Sequence, residues 1–178
     1  MKKSYLYKTI YCAILSAFAT VAFIIESLFP PLFLPGARMG ISNVFILICV
    51  FVAGGKYGYI AIAVKTCLGS LLTGNVFAIV YSLPSGVLAL TIQLVLLYII
   101  KNVSVVCASV CGAVVNILAQ NTIFCIITDT TAYLTYSPYL ALTGILGGLI
   151  VGFSVYLIIK ILPKKYFSDN EQQQEIKL

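Results

Sequence analysis

Residues 1–29 read MKKSYLYKTIYCAILSAFATVAFIIESLF, and this stretch decides the fold. Lys2, Lys3 and Lys8 come first. From Thr9 to Phe29 the only charged residue is Glu26. A run of this length suits a helix that crosses the hydrocarbon of a bilayer, which takes about 20 residues. It is too long for the apolar core of a secretory signal, about 7–15 residues. The stretch therefore predicts a retained first span, entered from the side that keeps the lysines.

The pattern repeats outward from there. Lys56 falls between the second and third apolar runs and Lys101 between the fourth and fifth. Lys160, Lys164 and Lys165 close the last. The alternate gaps hold no Lys, only Arg38, no charge, and Asp129. Lysine stays on the cytoplasmic side because carrying it through the bilayer during insertion is costly. The spacing predicts spans near residues 9–29, 41–53, 57–72, 83–100, 105–128 and 138–162. Breaks are expected at Pro30, Pro31 and Pro35-Gly36, at Gly54-Gly55-Lys56, at Thr73-Gly74-Asn75, at Lys101-Asn102 and over residues 129–137, with Pro84 and Pro138 opening the fourth and sixth helices. Runs near 20 residues without strict alternation are helices, since lipid admits only helices and closed barrels.

The expected fold is thus all-α integral membrane: a six-transmembrane-helix bundle, N-in/C-in and multi-pass. Residues 1–167 form one domain. Residues 168–178, Ser168-Asp169-Asn170-Glu171 onward, are a polar cytoplasmic tail expected to be disordered. The composition agrees: 61% hydrophobic and 9% charged, against about 25% charged in soluble domains.

Composition also excludes several functions. The net charge of +6 resides at span ends, where it meets anionic headgroups rather than nucleic acid. No G-x-x-x-x-G-K-[ST] motif is present, so the chain does not bind ATP by that route, and any pumping would draw on an ion gradient or on a separate ATPase. Histidine is absent. Cys12, Cys49, Cys67, Cys107, Cys111 and Cys125 lie within apolar runs and read as small packing residues. No paired carboxylates serve Mg²⁺–diphosphate chemistry. No metal or cofactor is expected.

An ionisable residue inside a span is expensive and points to function. Lys65 sits near the middle of the third span, Glu26 in the outer part of the first, and Arg38 in the outer loop. They could merely pair with one another. They could also line a pocket open to the outside, where two cations and one carboxylate leave a positive charge for an acid or phosphate. Asn116 and Gln120 stand at i, i+4 on one helix face. Gln93 lies mid-span, and Asn43 and Asn75 flank outer span ends. Amides in lipid either bond neighbouring helices or line a cavity. Phe77 and Tyr81 could cover such a pocket, although interfacial placement is the commoner role of aromatics. Ala13 and Ala17 form a small-residue pair, and Gly144, Gly148 and Gly152 form a stripe suited to packing within the bundle.

Three segments carry a family resemblance: Pro35-Gly36-Ala37-Arg38-Met39-Gly40-Ile41-Ser42-Asn43, Lys65-Thr66-Cys67-Leu68-Gly69-Ser70-Leu71-Leu72-Thr73-Gly74, and Tyr81-Ser82-Leu83-Pro84-Ser85-Gly86. They resemble the Gx transporter family of bacterial membrane proteins, whose members are often labelled heptaprenyl diphosphate synthase component I. The six-span plan and the Ala13/Ala17 pair are also similar to the substrate-binding S components of energy-coupling factor (ECF) vitamin transporters. That resemblance implies docking of a transmembrane coupling subunit on the first helix and a substrate held near the outer face. Members tend to carry Arg where this chain has Lys65, and His-Asn before Gly-Gln where it has Val115-Asn116 and Ala119-Gln120. The two Asp-rich motifs of a prenyl diphosphate synthase are missing.

The expectation is a non-enzymatic transporter subunit that takes up a small anionic or amphipathic metabolite, energised by a separate coupling module with ATPases. Its site would comprise Glu26, Arg38, Asn43, Lys65, Asn75, Asn116 and Gln120, with Ala13 and Ala17 docking the partner. The alternative is a non-catalytic membrane component of a prenyl diphosphate or quinone synthesis system.

Overall fold

The computed structural model describes residues 2–28, 40–100 and 103–162. Pro30, Pro31, Pro35-Gly36, Arg38, Lys101-Asn102 and the 168–178 tail lie outside these residues. The described chain forms six α-helices: α1 Lys2–Leu28, α2 Asn43–Ala53, α3 Gly55–Leu72, α4 Ala78–Tyr98, α5 Val105–Thr128 and α6 Ser137–Ile161. A short 3₁₀ helix, Thr131–Tyr136, precedes α6 within the expected outer loop. No strand occurs among the described residues.

Local chemistry explains the boundaries. Gly54 holds φ at 107°, a conformation that L side chains rarely adopt, and reverses the chain between α2 and α3 in one residue. Ser104 Oγ accepts the Cys107 N–H at 3.2 Å and starts α5. Asp129 ends that helix at φ 50°. The fourth helix departs from expectation. Asn75 Oδ1 accepts the Ala78 N–H at 3.2 Å, so α4 begins a turn and more before Pro84. That proline is interior, and the helix runs through it. Membrane helices tolerate this because neighbouring groups satisfy the freed carbonyl.

Four segments are long and apolar enough to cross a membrane: Tyr5–Leu28, Ala78–Tyr98, Val105–Thr128 and Thr131–Ile161. The six expected spans are therefore met in four cases by length and composition. The 11 residues of α2 extend only about 16 Å. The 18 residues of α3 extend about 27 Å, but Lys56 and Lys65 dilute its apolarity.

Side-chain pairings set the packing. Gly58 lies against Leu90 and Gly86 against Ile62, so α3 and α4 are antiparallel. Gly112 lies against Gln93 in α4, and Gly148 and Gly152 lie against Val110 and Val106, which makes α4–α5 and α5–α6 antiparallel too. A Cβ on Gly148 would stand 2.6 Å from the Val110 Cα, so the glycine stripe of α6 lets two backbones touch, as expected. α1 packs on both α2 and α3, and α6 returns to α2.

The surface is inside-out relative to a soluble protein. Ile10, Ile14, Phe18, Val21 and Ile25 are exposed along α1, as are Leu142, Leu146, Leu149 and Phe153 along α6. Buried instead are Ser16, Thr20, Ser42, Lys65, Thr66, Ser70, Ser82, Ser85, Gln93 and Gln120. Apolar exposure this broad is stable only if lipid covers the outside.

The interior is also divided along its length. α2 is apolar all round and plugs one end, where Val50, Phe51 and Ala53 meet Cys12 of α1, Ala61 of α3, Leu90 of α4 and Val155 of α6. The opposite end gathers the α1, α3 and α5 C-termini with the α2 and α4 N-termini. There the buried side chains turn polar.

Candidate functional site

Lys65 anchors that polar end. It is 8% exposed, which places a full charge inside the bundle. Its Nζ donates to Asn43 Oδ1 at 2.8 Å and to Ser42 Oγ at 3.3 Å. It also stands 5.9 Å from the centre of the Phe23 ring, within cation–π range. Phe23 is held by Gly69, one turn beyond Lys65, where any Cβ would strike the ring. The spacing Lys65–Gly69 thus places a charge and a notch on one face of α3.

Glu26 enters from α1. Its Oε1 accepts the Ser42 N–H at 3.1 Å, and its Oε2 accepts the Ser42 hydroxyl at 3.4 Å. The carboxylate therefore sits at the N-terminus of α2, where the helix dipole favours negative charge. Ser42 connects the two charges: its hydroxyl donates to Glu26 and accepts from Lys65. Gly40, at φ 77°, turns the chain into this position. A Cβ there would press on the Asn43 amide at 3.0 Å. Glu26, Asn43 and Lys65 come together around Ser42. Ser42, Phe23 and Gly69 complete the group and were missed by sequence reasoning. Ser42 and Gly69 do lie in the resemblance segments; Phe23 carries no sequence signal.

A second polar group lies between α4 and α5. Gln120 Nε2 donates to Ser82 Oγ at 2.9 Å. One position on, Asn121 Nδ2 donates to the Tyr133 carbonyl at 3.1 Å and to Ser137 Oγ at 3.2 Å, tying the 3₁₀ helix down. Asn116 Oδ1 is buried and has no hydrogen-bond partner. Phe77, Tyr81, Phe124 and Tyr133 form a chain of edge-to-face rings at the same end. Phe77 is exposed, but Tyr81 is 4% exposed, so its role is interior packing rather than interfacial anchoring.

The remaining expectations fall elsewhere. Asn75 is exposed and caps α4. Gln93 fills the notch at Gly112. Ala13 and Ala17 are exposed on the outer face of α1, beside Ile14 and Phe18. Arg38 lies outside the described residues. Among the described residues, no three His, Cys, Asp or Glu side chains converge as metal ligands would.

The arrangement sets an ammonium and a carboxylate on either side of the Ser42 hydroxyl, beside an amide and an aromatic face.

Neither the curated proteins nor the solved structures yield a match to this chain. One protein-family model, described as heptaprenyl diphosphate synthase component I, matches residues 15–158. That segment begins midway along α1 and ends in the last turn of α6, so it takes in both polar groups and the α2 plug. The match and the inside-out helices agree, and the chain belongs to the heptaprenyl diphosphate synthase component I family.

Proposed function

We propose that this protein is the solute-binding subunit of a membrane transporter. All six helices cross the bilayer, with both termini in the cytoplasm of a bacterial cell and the polar end facing outward. The subunit takes a small anionic or amphipathic metabolite from outside and delivers it inward. The observation that carries this reading is Lys65: a buried ammonium near one end of the bundle, held by Asn43 and Ser42 above an apolar plug. Burying a charge costs several kcal/mol after relaxation. Packing alone would be served better by an apolar residue, so a charge kept there suits a bound anion. Arg38 would join it from the loop, and Asn116 and Gln120 would line the far wall. Asn75 would frame the mouth.

Energy would come from a separate coupling subunit with ATPases. The exposed Ala13/Ala17 face of α1 would admit a close-packed partner helix. A tagged chain solubilised gently from its own membranes should bring ATPase subunits with it. Ala13→Leu with Ala17→Leu should abolish that capture. Purification alone, with uptake in liposomes driven by an ion gradient, would replace the coupling reading with a solitary transporter.

The family's description favours a second reading: a non-catalytic membrane component of a prenyl diphosphate synthase system. Adding this chain to a soluble prenyl diphosphate synthase partner would then raise its turnover. The transporter reading expects no change.

A further inference from the structure

Of the buried hydroxyls in this bundle, those of Ser16, Thr20 and Ser85 donate to a backbone carbonyl three or four residues back on their own helix, and those of Ser42 and Ser82 bond to side chains. Ser109, which stands singly against Gly152 at the α5–α6 seam, makes no such bond, and neither do Thr66 and Ser70 of α3. Both are at most 1% exposed, and neither hydroxyl has a hydrogen-bond partner. An unpaired buried polar group is costly. Two on one helix face, one turn apart, call for a reason.

Their position supplies it. On α3, Ile62 packs against Gly86 of α4, and Gly58 against Leu90. The same antiparallel register, continued by one and two turns, brings Thr66 level with Ser82 and Ser70 level with Ala78. Ser82 is the residue that Gln120 of α5 holds. One turn inward on α5 lies Asn116, whose buried Oδ1 is also unpartnered. Lys65 is the chain neighbour of Thr66. Polar groups therefore stand at neighbouring levels of the same end: Lys65 and Thr66 on α3, Ser82 on α4, and Asn116 with Gln120 on α5. The α3–α4 seam is packed less extensively than the α4–α5 contact.

We infer that Thr66, Ser70 and Asn116 form a second, uncharged subsite, which binds the body of the anion whose acidic group meets Lys65. The inference rests on the anion-binding reading above and narrows it to a substrate class. Asn116 Oδ1 can only accept, so the body must donate; the two hydroxyls can donate or accept. The ligand is a compact anion bearing hydroxyl or N–H groups. A prenyl diphosphate, whose body is hydrocarbon, would leave all three groups unpaired.

The test compares full-length wild type, Lys65→Met, Thr66→Val with Ser70→Ala, and Thr66→Ser, each released from native membranes. Native mass spectrometry reads the small molecule carried, and thermal melting reads stability. Wild type should carry an acid with at least one hydroxyl or N–H donor in its body. Lys65→Met and the double variant should each lose at least tenfold in occupancy, and Thr66→Ser should retain it. With the carried molecule removed from both, the double variant should melt at the same temperature as wild type or higher, because it deletes hydroxyls that bond to nothing. A double variant that keeps its molecule overturns the subsite, even if Lys65→Met loses it and the anion reading stands. A lowered melting temperature of the emptied double variant also overturns it, since the hydroxyls would then be bonded in place. A carried molecule with a purely hydrocarbon body does so as well. Wild type carrying nothing would sink both the subsite and the reading beneath it.

Discussion

Glu26 shows how one side chain serves structure and charge together. Its carboxylate takes both the N–H and the hydroxyl of Ser42, and so caps a helix that has no side-chain cap of its own. Glu26→Ala should cost about 1–2 kcal/mol, the usual loss for a helix cap. Glu26→Gln keeps an acceptor for the Ser42 N–H and should cost less, as thermal melting in detergent would show; equal losses would mean that charge, not capping, dominates. Gly69 is a second single-residue case. Any side chain there meets the Phe23 ring. Gly69→Val should destabilise by about 1–3 kcal/mol through overpacking, and should also disturb the Lys65 group that Phe23 flanks. Glu26, Asn43 and Lys65 were legible as candidates because charge and amide are rare in lipid. Ser42 was not, because a serine next to an asparagine reads as any loop end until the fold brings Glu26 and Lys65 to it.

Among the elements, α5–α6 and α4 make opposite predictions. Gly148 meets the Val110 backbone itself, which cannot rotate away. Gly148→Leu should force the two helices apart and lower folded yield, whereas Gly74→Ala, with nothing within 4 Å but φ 71°, should cost only backbone strain of about 1 kcal/mol. Comparable losses at the two sites would contradict the close approach. Pro84 removes one hydrogen bond from α4, so Pro84→Ala should raise the melting temperature, with about 3 kcal/mol as the ceiling. A drop would mean that the proline is needed to seat Ser82 and Ser85. The expected span ends agree with α5 at both ends, because Ser104 and Asp129 act locally. The start of α4 was misplaced because proline signals a first turn unless, as at Asn75, an earlier cap has already begun the helix.

For the whole molecule, the open matter is how many helices cross. Four qualify by length and composition; the transporter reading needs α2 and α3 to cross as well. Cysteine placed at Lys56 or at Gly74, in a background with the six native cysteines replaced, reports the two ends of α3. Impermeant thiol reagents applied outside intact cells should label the Gly74 position and spare the Lys56 position. Equal labelling would keep α3 from crossing.

The chain's residues alone determined that the protein is helical, that its helices are built for lipid, and which charges are out of place there. These follow from local chemistry: run length, the transfer cost of lysine and the turn preferences of glycine and proline. Only the tertiary structure decided that the shortest helix, α2, plugs the bundle, that Ser42 joins Glu26 to Lys65, and that two hydroxyls on α3 are left without partners. Such contacts depend on which helix faces which, and in lipid that choice is made by close packing and polar pairing between segments far apart in sequence.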